Sequence, residues 1–388
     1  MRNLTRMCLA VGPLAMLAAC DQSHSTISAP SLASAAKAPD HPPASAPMLV
    51  VSGLNNPRGI AFDNRGDLYV AEAGTTAGNN STEGTCRQDP MVSHSGNTGR
   101  ISKIVNGAAV PVISGLPSSH HIAANDVTVF GINDIAFVGP KLYGLLNAGC
   151  GHGVPGIPAS VIAVDDGQYQ RVADLSAFRA ANPPARLGPD VEPDGDWYSM
   201  IAVGGVLFAV DANGGQLVSI KPGSGNVDRV IDISATQGHV VPTAVTEFEG
   251  DFYIGNLQTF PAVEGASKVW RTRRNADQGL DVVATGLITV LGVATDKAGR
   301  GYALESFHCV ASAPPPFPPH PPCVPGPWAA GTGDVVRQNL DGSKETIVTG
   351  LTFPSSIRFG PDGALYISNK SYGLPAGSGE ILKVTFQN

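Results

Sequence analysis

The stretch Val50–Glu72, VVSGLNNPRGIAFDNRGDLYVAE, decides the architecture, because Val348–Asn369, VTGLTFPSSIRFGPDGALYISN, repeats it at the far end of the chain. The phrase is an apolar strand ending in Gly-Leu, a turn, a strand such as GIAF, a tight turn and a strand such as LYVAE. Ile60 and Phe62 share one face, as do Leu68 and Val70, which is the period-two alternation of β-structure. Asp63-Asn64-Arg65-Gly66 and its counterpart Gly360-Pro361-Asp362-Gly363 carry hairpin-turn residues.

The middle of the phrase recurs as Asn133–Asn147, Tyr198–Asp211, Thr243–Asn256, Leu291–Glu305 and Ser355–Asn369, making six copies in all. A third strand follows each copy (GRISKI, SVIAV, QLVSI, SKVWRT, GDVVRQ, GEILKV), and a fourth is of the VISGL type. Four short antiparallel strands repeated six times predict an all-β, six-bladed β-propeller over 48–388. The last copy stops after three strands, whereas Met48–Leu54 is an unpaired fourth-type strand ahead of the first. That N-terminal strand is therefore expected to close the last blade and remove two exposed edges.

Ahead of the repeats, Arg2 and Arg6 precede an apolar run, Cys8–Ala19, that is too short to span a bilayer as a helix. Leu17-Ala18-Ala19-Cys20 resembles the lipobox of bacterial lipoproteins. Residues 1–19 thus read as a lipoprotein signal peptide with Cys20 as the lipidated residue; an ordinary secretory signal is the alternative. Residues 20–47, rich in Ser, Ala and Pro, read as a disordered tether. The expected location is a membrane-anchored lipoprotein facing the periplasm or cell exterior, most simply as a monomer. A net charge of −7 with no basic run in the body excludes nucleic acid as a partner. The body holds Cys86, Cys150, Cys309 and Cys323, an even number in an exported chain. Three connectivities exist; Cys309–Cys323, closing a Pro-rich loop, and Cys86–Cys150 are favoured. Neither spacing suits a zinc-binding pair.

The long inter-strand segments (74–98, 148–159, 176–197, 257–266 and 306–332) all fall on one face, which is where elaborated loops carry function. His94, His120, His121, His152, His239, His308 and His320 fall there too, as do Trp197, Phe260, Phe307, Trp328 and Tyr372. Ala313–Cys323, APPPFPPHPPC, reads as extended polyproline, either a partner-docking arm or a stiff lid. No GxSxG, Walker or HExxH motif occurs. The second strands end in Glu72, Asn147, Asp211, Asn256, Glu305 and Asn369. The first strands are approached through Arg58, Asn133 with Asp134, Tyr198, Thr243, Thr289 and Ser355. Both sets are expected around the channel mouth. Glu72, Asp134, Asp211 and Glu305 are the candidate catalytic or metal-ligating carboxylates, with Ca²⁺ the cation that such oxygen ligands suit. Arg58, Asn133, Tyr198, Asn256 and Asn369 are the candidate ligand-binding residues. A ring of polar groups lining a water-filled channel is the plain alternative.

Over roughly 49–384 the chain resembles the ScyD/ScyE family of propellers, within the wider NHL and SMP-30-like group. The resemblance rests on NPRGIAFDNRGDLYVAEAG, PDGDWYSMIAVGGVLFAVDANGGQLVSI, VPTAVTEFEGDFYIGNLQTFP and GPDGALYISN. It implies the fold but assigns no reaction. More distantly, the chain is similar to SMP-30/gluconolactonase enzymes, whose pattern asks for an acid just before the first inner strand. Here that position is Arg58. Quinoprotein sugar dehydrogenases share the P-x-x-hydrophobic-A-F opening. The leading expectation is a tethered propeller that binds a small organic or sugar-like ligand at its loop-rich face. The alternatives are a metal-dependent lactonase, a sugar dehydrogenase, and a non-catalytic scaffold that contacts an envelope protein.

Overall fold

The computed structural model describes residues 41–75, 80–83, 92–121, 128–273, 279–312, 315–316, 318–319 and 321–387. The predicted signal peptide, Cys20 and tether residues up to 40 lie outside the described residues. Six antiparallel sheets form a ring. Their innermost strands are Pro57–Phe62, Ile132–Val138, Trp197–Val203, Pro242–Phe248, Val290–Thr295 and Ser356–Phe359. The expected closure is present. Met48–Leu54 pairs antiparallel with Gly379–Val384, so the last blade runs from the C-terminus inward with the N-terminal strand as its outer edge. Val51 and Leu54 of that strand are buried, which ties the two ends of the chain together through apolar packing.

The chain is already docked at the end of the expected tether. Pro42 O accepts from the buried Arg337, Ala44 forms a bridge with Phe386, and Ser45 exchanges hydrogen bonds with Thr385. The expectation of disorder up to residue 47 is therefore corrected for residues 41–47. Those residues satisfy polar groups on the last two blades, which a composition-based reading of Ser, Ala and Pro could not foresee.

Each interface between neighbouring blades holds one apolar cluster. Leu145 and Val161 of blade two meet Met200 and Leu207 of blade three. Ile201 and Phe208 meet Val245 and Phe252, and Val335 of blade five meets Ile357 and Ile367 of blade six. The alternating strand pattern thus buries both faces of every sheet, and sheet-on-sheet packing builds the ring. A further cluster, Phe307, Ala329 and Phe353 with Trp328 and Tyr372 against it, sits under the loops of blade five.

The first blade is enlarged on the loop-rich side. Val92–Val105 and Ala108–His121 form a long hairpin that also pairs with Asn80–Glu83 and Val129–Phe130. Cys309 and Cys323 form the expected disulfide, and Cys150 is disulfide-bonded as well, while Cys86 lies outside the described residues. No helix among the described residues is long and apolar enough to cross a membrane.

Candidate functional site

The two sets of residues placed at the channel mouth separate in the structure. Those at the ends of the second strands are buried and serve as clamps. Glu72 accepts from Asn55 N at 2.7 Å, Asp211 from Asp196 N at 3.2 Å, Glu305 from Ile288 N at 2.6 Å and Asn369 from Thr352 N at 2.9 Å. In each case a side chain at the end of strand two holds the backbone that leads into strand one of the same blade. Asn256 accepts from Lys268 N and donates to Val240 O. Glu72 is further held by Arg100, whose Nε lies 2.6 Å from Oε1, and by Ser102 Oγ at 2.6 Å. Asp211 pairs with the buried Arg179 at 3.1 Å and accepts from Gln216 and Gly214 N. Paired, hydrogen-bonded carboxylates of this kind are scaffold devices.

The residues approaching the first strands do face the channel, and local geometry explains how. The register of the innermost strand slips at its start in five blades: Pro57/Ile60, Ile132/Asp134, Trp197/Ser199, Pro242/Ala244 and Val290/Gly292. Such a bulge leaves an extra residue unpaired and re-aims its side chain. The residues so freed are Arg58 with Gly59, Asn133, Tyr198, Thr243 and Leu291. Arg58, Asn133, Tyr198, Thr243 and Leu291 all line one cavity of about 180 Å³ at the loop-rich mouth. In blade five the freed residue is Leu291, which corrects the expectation for Thr289: Thr289 is buried, with its hydroxyl donating to Phe307 O.

Loops complete the chamber with Phe130, Glu192, Asp196, Leu257, Phe260 and Tyr372. Among the described residues lining it, Arg58 is the one cation. Its Nη2 donates to Val129 O at 2.9 Å, and its guanidinium sits 5.8 Å from the Tyr372 ring centre. Neither Arg58 Nε nor the Tyr198 hydroxyl completes a hydrogen bond of normal geometry, although both are buried. Burial raises Tyr198 to about 12 against the pull of the nearby guanidinium, so the phenol stays a neutral donor. Burial likewise pushes Tyr372 up, while its hydroxyl pairs with Ser306 Oγ. Phe260 is about half exposed at the rim.

Behind the chamber wall lies an acid–imidazole pair. His152 is fully buried with Nε2 3.0 Å from Glu192 Oε2. Burial favours the neutral ring, but Glu192 and Asp196 outweigh it and raise His152 to about 9. Burial and the Glu192 charge raise Asp196 to about 6.

Deeper in the channel, Asp134 has both oxygens engaged, accepting from Ile135 N at 2.8 Å and Met200 N at 2.7 Å. Burial pushes its carboxyl above the usual range despite Arg358 at 3.8 Å. A Cβ at Gly59 would lie 1.8 Å from Asp134 Oδ1, so only glycine lets blades one and two close here. Ring stitches surround it: Asn133 donates to Trp197 O, and Ser355 to Pro57 O.

The inner ring of the channel mouth does not fit a hard cation. Its inner ring carries the Arg58 guanidinium, Asn133 turns its amide nitrogen to a carbonyl, and Asp134 spends its oxygens on amides. Glu305 is different. Glu305, His308 and Asp334 converge under the stapled loop of blade five. Sequence reasoning passed over Leu291, Asp334 and the acids of the loop before blade three. The bulge registers that would have pointed to Leu291 appear only in the pairing of strands.

No protein-family profile matches the chain, and no curated protein matches it. Solved structures do. A putative oxidoreductase (glucose dehydrogenase) from Thermus thermophilus is 14% identical over 87% of this chain and 99% of that one, with a TM-score of 0.53. A calcium-binding regucalcin from Agrobacterium tumefaciens is 12% identical over 89% and 94%, with a TM-score of 0.52. A gluconolactonase from Xanthomonas campestris is 10% identical over 88% and 89%, at 0.51. The likeness is one of fold. It is that of a six-bladed β-propeller, and at these identities it carries neither ligands nor chemistry across.

Proposed function

We propose that the protein is an exported, membrane-tethered propeller of ScyD/ScyE type that captures a small organic or sugar-like molecule in the loop-side chamber. One observation carries the reading: Arg58 Nε and the Tyr198 hydroxyl are buried at the chamber without hydrogen bonds of normal geometry. The two groups lie against each other, and the Tyr198 hydroxyl proton still lacks a well-placed acceptor; an unmet buried donor costs about 1–3 kcal/mol. A ligand oxygen from a carbonyl, carboxylate or hydroxyl supplies that acceptor. Phe130, Phe260 and Tyr372 offer apolar faces for the body of such a ligand, and Glu192 and Asp196 offer acceptors for its hydroxyl groups. The metal-dependent lactonase reading is weaker, because Arg58 stands where that pattern asks for an acid and the inner ring offers few unspent oxygens. Ca²⁺, named for the Agrobacterium neighbour, would meet two carboxylates at this mouth, Glu192 and Asp196, and each already engages a partner, His152 and Asn147 respectively.

The test is a thermal-shift screen of aldoses, sugar acids, lactones and aromatic acids against the purified protein, with hits re-measured on Arg58→Gln and Tyr198→Phe. The reading expects the shift to shrink in both variants while their unliganded melting stays near wild type. Equal shifts in wild type and variants would remove the chamber from consideration. Chelator-sensitive turnover of a lactone would favour the hydrolase reading instead.

A further inference from the structure

The repeated clamp at the end of strand two exposes an anomaly in blade five. In the blades with an acid or an acid-paired amide there, the residue opposite on strand three balances it. Glu72 faces Arg100, Asp211 faces Gln216, and Asn369 faces Glu380. In blade five Glu305 faces Asp334 directly across the antiparallel pair. Two like charges in that position repel and destabilise a sheet unless a cation is shared between them.

The group set over the two acids is His308. Its Nε2 lies 3.5 Å from Glu305 Oε2 and 3.4 Å from Asp334 Oδ2, and the three ligand atoms fall within 4.8 Å of one another. A charge-assisted N–H to carboxylate hydrogen bond is drawn in to about 2.7–2.9 Å. Here Nε2 makes no hydrogen bond of normal geometry with either acid, and Asp334 Oδ1 is buried without one. The two separations from Nε2 instead lie close to the edge of a tetrahedron around an ion with bonds near 2.0–2.1 Å, about 3.3–3.4 Å.

The other face of the imidazole is arranged to match. His308 Nδ1 lies 3.3 Å from Glu264 Oε2, while Glu264 Oε1 accepts Cys309 N at 2.6 Å. A carboxylate behind Nδ1 is the usual means of fixing a ligating imidazole with Nε2 free for a metal. The backbone is held from three sides. His308 N donates to Thr332 Oγ1 at 3.0 Å, Cys309 is bonded to Cys323, and Cys323 O accepts Ala262 N at 2.8 Å.

We propose that Glu305, His308 and Asp334 form a zinc-class divalent metal site, oriented by Glu264, that fastens the loops of blades four and five. Three protein ligands leave one tetrahedral position for water, and His308 is exposed enough for solvent to reach it. The site is separate from the chamber and does not depend on the ligand reading. It adjoins the chamber wall through Ser306, whose hydroxyl pairs with Tyr372.

The experiment uses the purified full chain, stripped with a chelator and titrated with Zn²⁺. Metal retention after gel filtration, Co²⁺ absorption and melting temperature are measured for wild type, His308→Gln, Asp334→Asn and Glu264→Gln. Wild type should retain one equivalent of Zn²⁺, give the intense visible bands of tetrahedral Co²⁺, and melt higher with Zn²⁺ present. His308→Gln and Asp334→Asn should lose retention and bands, and Glu264→Gln should bind roughly 10–100-fold more weakly. Asp334→Asn also reports on its own folding: with the like-charge pair removed, it should melt at or above metal-free wild type, yet gain nothing from Zn²⁺. Equal retention by wild type and all variants would mean an adventitious ion only and overturn the proposal. So would a metal-free wild type unmoved by Zn²⁺ together with a lower-melting Asp334→Asn, the behaviour of a plain His–carboxylate ion pair.

Discussion

Glu72→Ala separates scaffold from site most sharply. The carboxylate is fully buried and accepts from Arg100 Nε and Nη2, Ser102 Oγ and Asn55 N. Removing it leaves a guanidinium only about a quarter exposed without its partner, and leaves the amide that leads into the first inner strand without an acceptor. Breaking a buried pair costs about 3–5 kcal/mol, and the orphaned amide lies within that range rather than adding fully to it. At roughly 1–2 °C per kcal/mol for a body of this size, melting should fall by about 3–10 °C. Calorimetry on wild type, Glu72→Ala, Arg100→Met and the double variant would give a coupling energy, and the double variant should recover much of the loss. A chamber ligand should still bind Glu72→Ala within a few-fold at a temperature where it is folded. Unchanged melting with abolished binding would refute the clamp assignment and return Glu72 to the channel mouth.

Four further outcomes are expected. His152 is held at about 9 in the folded protein against 6.5 for the free ring. Its stabilisation is complete below pH 6.5 and is lost as pH rises through 9, by at most about 3 kcal/mol. Asp196, at about 6, is ionised in both states over that alkaline window and adds no slope. Melting curves should therefore fall from pH 7 to 10 in wild type and fall less steeply in His152→Gln, where His308, held at about 10 by Asp334 and Glu305, still loses stabilisation over the same window. Cys309→Ser opens a loop with a sequence separation of 14 and should cost about 3 kcal/mol, visible in denaturant titrations without reductant. Gly59→Ala drives a methyl into Asp134 and should lower melting by an amount typical of overpacking, about 1–3 kcal/mol. Deleting residues 41–54 removes the closing strand with Val51 and Leu54, and should abolish a single cooperative transition in calorimetry.

The ring was legible because its chemistry is periodic. Ile60, Ile135, Met200, Val245 and Ile357 recur on buried strand faces, and the orphan strand at Met48 announced the closure. The site was half legible. Arg58, Asn133 and Tyr198 stand at the mouth as expected, since their places follow from strand order alone. Glu72, Asp211, Asn256 and Asn369 were drawn to the mouth by the same rule, yet their side chains turn back to hold backbone. Side-chain direction at a strand end depends on which amide lacks a partner, and spacing does not reveal that. Leu291 was missed because a bulge shifts the register by one residue. The blade-five anomaly needed the cross-strand register, since Glu305 and Asp334 lie on either side of a long insertion.

The most direct measurement is a crystal structure of the protein soaked with the strongest thermal-shift hit. The account predicts density in the loop-side chamber, with a ligand oxygen within hydrogen-bonding distance of Arg58 Nε and the Tyr198 hydroxyl and the body of the ligand against Tyr372 or Phe260. A ligand bound instead in the lateral groove between blades four and five, beside Tyr253 and Tyr302, with the chamber holding only water, would contradict it.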